Sequence, residues 1–276
     1  MPPVYHPFHL TPQGNHREVV WNPLRKRSDG YYDIDFDNLA QVCDDKCRVL
    51  LLCNPHNPGG LVWTKETLQR LADFCFDHHL LVVSDEIHAD MPLFSHQHTP
   101  FASVSDKAAA ISITFQAPTK TFNIAGIVSA YAIVPNENIR KVFFDWLAAN
   151  EFDEPHLFAP IATIAAFREG EAWRKQMIHY VESNILFVET FCKEHMPAIK
   201  PLRPQASFLI WLDCRALHLS HDELLHLFID EAHLALNDGE MFGPGGEGYM
   251  RLNVGCPRKL VEQALQQLCE AVQHHV

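Results

Sequence analysis

The chain has 276 residues, 47% of them hydrophobic, which is enough to bury one large core or two of ordinary size. Its 22 basic and 34 acidic residues give a formal net charge of −12, which argues against a nucleic-acid partner. No apolar run approaches the roughly 20 residues of a membrane-spanning helix, and the start of the chain lacks the features of a signal peptide. We therefore expect a cytoplasmic protein that binds neither nucleic acid nor a membrane.

The first half of the sequence predicts strands that alternate with helices. After an irregular start, a short strand is expected over 18–21 and a helix over 35–42. Uninterrupted apolar runs predict buried strands, and apolar residues at helical spacing predict the helices between them. The strands are expected over 49–53, 80–83, 111–115 and 128–134, and the helices over 65–78 and 137–150. This alternation predicts an α/β fold with a mostly parallel sheet covered on both faces.

The second half predicts a smaller α+β domain. Helices are expected over 155–167, 171–195, 220–235 and 257–272, strands over 207–213 and 250–254, and a Gly-rich loop over 237–248. We place the domain boundary so that residues 1–165 form the large domain and residues 166–276 the small one.

Cysteine and histidine usage indicates neither disulfides nor a metal. The eight cysteines are scattered without a CxxC pair, and several, such as Cys53 and Cys75, lie within apolar runs. This pattern is typical of reduced core cysteines in a cytoplasmic protein. The 18 histidines place no three ligands together, so no metal site is predicted.

Polar motifs follow three of the predicted strands where each one ends. They are Asn54–Gly60, Ser84–His88 and Ala117–Gly126, and the last contains Lys120. In such sheets the ligand crevice lies beyond the carboxyl ends of the strands, so we expect one site there. A lysine that is partly desolvated in such a site loses its proton more easily and can attack an aldehyde to form a Schiff base.

These motifs resemble those of the pyridoxal-phosphate enzymes of the class I/II aminotransferase superfamily (fold type I). In particular, they resemble the cystathionine β-lyase (C–S lyase) branch of the MalY/PatB type. The three segments match in order and spacing, as do Phe101–Ser103 and Arg251–Pro257, and the similarity runs from Tyr5 to the last helix. The resemblance implies the large domain of a fold type I transferase, a smaller C-terminal domain, and pyridoxal 5'-phosphate as cofactor.

The resemblance also implies a role for individual residues. Lys120 would hold the cofactor as a Schiff base and then move the proton at the substrate Cα. Asp85 would keep the pyridine nitrogen of the cofactor protonated, so that the ring can accept electrons. The further matches are Asn57 at the ring hydroxyl, Tyr5 on the ring face, Thr119 at the phosphate and Arg251 at the substrate carboxylate. Structural alternatives are a surface lysine for Lys120, a helix cap for Asp85, a turn for Asn57 and Thr119, a frayed aromatic for Tyr5 and a strand-edge salt bridge for Arg251.

Three features depart from the aminotransferase pattern. His88, among the cofactor-binding residues, stands where many aminotransferases carry a tyrosine that bonds the ring hydroxyl, and histidine there favours the lyase branch. Val128 occupies the position of a phosphate-binding arginine and cannot bind phosphate. The chain also begins well inside the usual length of the family, so we expect it to lack the N-terminal arm and the turn that cradles the cofactor phosphate.

The implied function is a β-lyase that cleaves cystathionine, or a related cysteine S-conjugate, to a thiol, pyruvate and ammonia. The expected partner is therefore a small sulfur amino acid, and homocysteine would be the thiol released from cystathionine. The alternatives are a pyridoxal-phosphate-dependent aminotransferase, or an inactive truncated fragment with a binding or regulatory role. A homodimer is expected by resemblance, although the dimer arm is missing. Because Arg251 and Lys120 fall in different predicted domains, we expect substrate binding to bridge them.

Overall fold

The computed structural model describes residues 1–273, which form ten α-helices and ten strands within that range. The helices are α1 (Pro7–Gly14), α2 (Phe36–Val42), α3 (Lys65–Asp77), α4 (Asp106–Ala110), α5 (Pro118–Thr121), α6 (Glu137–Ala149), α7 (Phe158–Glu169), α8 (Glu171–His195), α9 (His221–His226) and α10 (Arg258–Gln273). The strands are β1 (Arg25–Lys26), β2 (Tyr32–Asp33), β3 (Val49–Cys53), β4 (Leu81–Asp85), β5 (Ser112–Gln116), β6 (Tyr131–Ile133), β7 (Lys200–Leu202), β8 (Leu209–Asp213), β9 (Asn237–Asp238) and β10 (Tyr249–Asn253).

The chain divides into two compact units. The central unit comprises Asp44–Pro55 and Val62–Ile178, and the terminal unit comprises Met1–Cys43, His56–Leu61 and the chain from His179 onward. The domain boundary predicted after residue 165 stays a prediction.

The central unit is built on a four-stranded sheet in the order β3-β4-β5-β6. Strands β3, β4 and β5 are parallel, and β6 is antiparallel to β5. Helix α3 begins where the Thr64 side chain accepts a hydrogen bond from the Thr67 N–H. It buries Leu68 and Leu71, and Val82 of β4 is also fully buried. This unit therefore confirms the predicted α/β fold with a mostly parallel sheet.

The terminal unit carries a four-stranded antiparallel sheet in the order β7-β8-β10-β9 and a short hairpin of β1 and β2. Strand β8 is buried from Leu209 to Leu212, as its unbroken apolar sequence predicts. Ser220 and Glu223 form a capping box at the start of α9, and a π-helical turn over Leu227–Glu231 continues that helix.

Several sequence-based boundaries are wrong. Helix α1 forms where an irregular start was predicted, and Pro7 occupies its first turn, where the missing N–H costs nothing. The strand predicted over 18–21 does not form. The strand predicted over 128–134 shortens to β6, because Ala125–Ile127 form a 3-10 turn and Val128 adopts a left-handed conformation.

The eight cysteines are free in the structure, and five of them are buried: Cys53, Cys75, Cys192, Cys214 and Cys269. Over residues 1–273, every helix is either too short or too polar to cross a bilayer.

Candidate active site

The central unit brings four of the predicted site residues to one edge of its sheet. Asp85 is the last residue of β4, and it pairs in register with Phe115 of β5. Beyond β5, Pro118 starts the short helix α5, which carries Thr119 and Lys120. His88 follows Asp85 three residues later, and the side chains of His88 and Thr119 are buried. An acid, an amine, an imidazole and a hydroxyl therefore lie beyond the carboxyl ends of two adjacent parallel strands, where α/β folds bind ligands.

Asp85 is a carboxylate that the protein leaves incompletely stabilised. Burial is the largest cause that acts on the pKa of Asp85, and it raises that pKa. The hydrogen bond that Asp85 accepts from the Ile87 N–H and the charge of Lys120 lower the pKa, and the charge of Glu86 raises it. The net shift is upward. A carboxyl group with this balance binds a cation favourably, because the cation offsets the cost of burying the negative charge. The protonated pyridine nitrogen of the implied cofactor is such a cation.

The neighbouring Glu86 has the opposite environment. Its side chain is only 1% exposed and accepts hydrogen bonds from the Ser84 hydroxyl and the Phe101 N–H, each 2.8 Å long. The Nε2 atom of His98 lies 2.8 Å from its second oxygen, and Asn54 and Gln116 add longer contacts at 3.5 and 3.4 Å. Glu86 is thus a structural carboxylate that connects the strand end to the loop after it.

Lys120 is more exposed than the sequence suggested. The structure places it at the surface of the central unit, so the described residues do not provide the desolvation expected for it. Lys120 still lies beyond β5, the strand that pairs with the Asp85 strand β4, and its charge is among the groups that act on the Asp85 carboxyl. The expected burial of the amine is therefore wrong, and its chemical role stays a prediction.

The terminal unit brings together the other three predicted residues. Arg251 of β10 donates to the side-chain oxygens of Asn57, at 2.8 Å, and Asn237, at 2.6 Å. The Asn57 carbonyl in turn accepts a hydrogen bond from the Tyr5 N–H, at 3.0 Å. The guanidinium also lies over the ring of Phe242, 4.8 Å from its centroid. These residues define the arginine pocket.

The arginine pocket holds a cation without a matching anion. Burial lowers the pKa of Arg251, and Tyr5 partly offsets this effect. Within residues 1–273, its hydrogen bonds go to neutral amides and no carboxylate is in ion-pair contact with it. The Nε atom is buried and has no hydrogen-bond partner. The guanidinium is therefore suited to a carboxylate ligand, which could supply both the charge and the missing acceptor.

Sequence reasoning missed one member of the arginine pocket, Asn237, and one residue that contacts the pocket, His6. Asn237 was assigned only to a Gly-rich loop, and no feature of the loop sequence indicated its contact with Arg251. His6 follows the predicted Tyr5, and their rings meet edge to face with centroids 4.8 Å apart. Its place beside a predicted site residue was the one signal that could have singled it out.

The residues present fit the implied cofactor. An aldehyde needs an accessible amine, which Lys120 offers, and a protonated ring nitrogen needs a carboxylate shielded from solvent, which the partly buried Asp85 offers. Val128, in place of the usual phosphate-binding arginine, is 81% exposed and contributes no polar group. The described hydroxyl suited to a phosphate is that of Thr119, beside the lysine.

Comparison with known proteins agrees with this assignment. Cystathionine beta-lyase PatB of Bacillus subtilis is 42% identical over 272 residues, which cover 98% of this chain and 70% of that protein. Protein MalY of Escherichia coli is 32% identical over 98% of this chain and 69% of its own length. The crystal structure of cystalysin from Treponema denticola, which contains a pyridoxal 5'-phosphate cofactor, matches with a TM-score of 0.95 at 32% identity, over 99% of this chain and 69% of that one. The family described as aminotransferase class I and II matches residues 1–268, and the chain therefore belongs to that family.

Proposed function

We propose that this chain is a pyridoxal-phosphate-dependent carbon–sulfur β-lyase that acts on cystathionine or a related cysteine S-conjugate. The observation that carries the proposal is the placement of Asp85 and Lys120 at the carboxyl ends of adjacent parallel strands. The similarity to proteins named as cystathionine β-lyases supports the choice of reaction. Cystathionine and one water would give homocysteine, pyruvate and ammonia.

The residues described above would hold different parts of the cofactor. When bound, pyridoxal phosphate supplies an aldehyde that links to amines and a ring that accepts electrons from the substrate Cα. Lys120 would attach it through the side-chain amine, and Asp85 would hold a proton on the ring nitrogen. The remaining assignments are Asn57 and His88 to the ring hydroxyl, Tyr5 to the ring face and Thr119 to the phosphate.

Lys120 and Asp85 divide the proton chemistry between them. With the cofactor bound, the amine of Lys120 would remove the proton from the substrate Cα. Asp85 keeps the ring nitrogen positively charged while that proton is removed, because a buried carboxylate favours a cation beside it. The thiolate then leaves from Cβ.

Arg251 binds the substrate. The planar guanidinium takes the α-carboxylate, in place of or in addition to the amide oxygens that it contacts. A carboxylate fixed there sets which substrate bond is presented for cleavage. Tyr5 and Asn57 lie in the same pocket, so cofactor contacts and substrate binding share one hydrogen-bonded cluster in the terminal unit.

We further propose that the chain acts in the cytoplasm as a homodimer. The support is the set of large apolar side chains exposed on α6, α7 and the segment between them, which monomeric proteins seldom leave in contact with water. They include Val142, Trp146, Phe152, Leu157 and Ile161. Light scattering at several protein concentrations measures the assembly directly, and a mass that stays at one chain contradicts the dimer.

The decisive experiment is to incubate the purified chain with pyridoxal phosphate, remove the excess, and record the visible spectrum. Borohydride reduction followed by peptide mapping then identifies the attached lysine. We expect label at Lys120 and none at Lys141, an exposed lysine on α6 that serves as an internal control. Release of thiol and pyruvate from cystathionine is expected in the same preparation.

Other results would assign a different role. Keto-acid formation without thiol release, with label at Lys120, indicates an aminotransferase. A folded but colourless and unlabelled protein indicates a binding or regulatory role and rules out the lyase.

A further inference from the structure

His6 contacts the Tyr5 ring at the edge of the arginine pocket, and the proposed function gives it no role. The segment that carries it is fixed on its N-terminal side by two backbone hydrogen bonds. Val4 donates to the Phe242 carbonyl at 2.8 Å, and Tyr5 donates to the Asn57 carbonyl at 3.0 Å. Because Arg251 contacts both Phe242 and Asn57, the backbone just before His6 is attached to the two residues that position the guanidinium.

The imidazole of His6 has an unmet hydrogen-bonding capacity. Its Nδ1 atom is buried and makes no hydrogen bond within the described residues. A buried polar nitrogen without a partner costs free energy unless a ligand or a water satisfies it. Helix α1 does not use it either, since the His6 side chain makes no capping hydrogen bond.

The charges around His6 disfavour its protonated form. Burial is the largest cause that lowers its pKa from the usual value of 6.5, followed by the positive charge of Arg251 and by His9. The titratable groups that face it are Arg251 on β10, His9 on α1 and the adjacent Tyr5, and none of them is a carboxylate. Burial, together with two nearby cation-forming groups, thus keeps His6 neutral near pH 7 in the free site.

We infer that His6 is a second carboxylate-binding side chain of the arginine pocket and that it takes up a proton when an amino-acid carboxylate binds to Arg251. The inference rests on the proposed role of Arg251 and extends it. The positive charge of Arg251 repels a protonated His6, and a carboxylate bound to Arg251 offsets that charge and attracts the proton. The bound carboxylate therefore favours the imidazolium form of His6. Protonation turns Nδ1 from an atom without a partner into a charged donor.

This coupling predicts how affinity depends on pH. The pKa of His6 lies below 6.5 in the free site and higher in the bound site. Below both values His6 is protonated throughout, and carboxylate binding is strongest. As the pH rises between them, affinity falls by at most about tenfold per pH unit, and above both values it is weak and constant.

The test uses propionate, a carboxylate that has no amine with which to displace Lys120 from the cofactor. Calorimetric titration of the cofactor-loaded protein at several pH values from 5.5 to 7.5, each in two buffers with different ionisation enthalpies, measures the protons taken up on binding. We expect net proton uptake in the wild type and none in His6→Gln, which keeps a neutral hydrogen-bonding side chain. The matched control is His9→Gln, one helical turn further along α1, which should retain the uptake.

The outcomes separate this inference from the proposed function. Propionate binding that survives unchanged in Arg251→Gln, or that is absent in the wild type, contradicts the carboxylate site itself. Binding that depends on Arg251 but takes up no proton in the wild type overturns the role of His6 and leaves the lyase proposal intact. Uptake that persists in His6→Gln, or disappears in His9→Gln instead, likewise overturns it. The wild-type measurement requires no variant to fold.

Discussion

The strand ends of the central unit and the arginine pocket of the terminal unit each contain a charged group without an ion-pair partner among the described residues, and the two charges are of opposite sign. Asp85 is a carboxylate whose pKa is raised by burial, and Arg251 is a guanidinium whose pKa is lowered by burial. Each has hydrogen bonds, but neither has an ion-pair partner among the described residues. Both groups are partly buried, and proteins seldom desolvate a lone charge, so both indicate ligands of opposite sign to themselves.

Paired charges elsewhere in the same two units sharpen this contrast. Glu86 of the central unit is surrounded by hydrogen-bond donors and lies against His98. In the terminal unit, burial would raise the pKa of Asp213, but hydrogen bonds from Arg215 and Lys26 hold it well below its usual range. The fold can therefore neutralise its charges internally, and its failure to do so at Asp85 and Arg251 distinguishes binding groups from structural ones.

The largest expected effect is that of Lys120→Ala. If the amine moves the Cα proton, the variant should lose lyase activity by at least about a thousandfold. Because the residue is exposed, the free energy of unfolding should change by less than about 0.5 kcal/mol. Pyruvate release and denaturant unfolding measure the two quantities. Activity that survives in Lys120→Ala but is lost in Lys141→Ala would move the assignment away from Lys120.

Asp85→Asn and Glu86→Gln form a matched pair of neighbouring carboxyl-to-amide changes. Asp85→Asn should lower lyase activity on the order of a hundredfold, because the ring nitrogen loses the charge that stabilises its proton. Glu86→Gln should instead lower the free energy of unfolding by about 1–3 kcal/mol, because an amide NH2 would face the donors that Glu86 now accepts from.

The two variants should also differ in the pH dependence of stability. The raised pKa of Asp85 means that the folded state binds its proton more tightly than the unfolded state does. Asp85 therefore destabilises the cofactor-free fold at neutral pH, and this effect disappears as the pH falls below the unfolded-state pKa. Asp85→Asn should raise stability at pH 7 and have no such effect in strong acid. Thermal unfolding across pH measures this, and a loss of stability at pH 7 would contradict the distinction between the two carboxylates.

Arg251→Gln tests the terminal side of the comparison. Loss of the guanidinium should raise KM for the amino acid about 30-fold, which corresponds to about 2 kcal/mol, and leave the absorption band of the bound cofactor in place. The matched control is Arg215→Gln, because that guanidinium also lies over an aromatic ring but is paired with Asp213. A similar rise in KM in both variants, or loss of cofactor colour in Arg251→Gln, would contradict the assignment.

The sequence predicted the central strands and most helices because their signals are local. The unbroken apolar run of β3 and the Thr64 cap of α3 specify their elements almost without tertiary context. The same holds for Asp85 and Lys120, since a polar residue directly after a buried strand must lie at the edge of the sheet.

The arginine pocket could not be predicted in the same way. The contact between Arg251 and Asn57 joins residues 194 positions apart, and no periodicity encodes such a distance. The burial of His6 Nδ1 likewise depends on how the first residues return to β10 and its neighbours. The shortened β6 is a further case, because a run of apolar residues did not reveal that Val128 would take a left-handed backbone conformation.

Val128 gives the smallest expected effect and a further contrast between the two regions. Arg251 lies in a regular strand, whereas Val128, eight residues after Lys120, has a φ of 50° and is 81% exposed. This conformation is costly for a β-branched residue, so Val128→Gly should stabilise the protein by about 1 kcal/mol after the entropy of glycine is subtracted. The matched control is Val142→Gly, because Val142 is 72% exposed on α6 and glycine there should destabilise by about 0.5 kcal/mol. Chemical denaturation measures both. If both variants are destabilised alike, the valine is not strained, and the left-handed turn beyond the lysine is stabilised by contacts of its side chain.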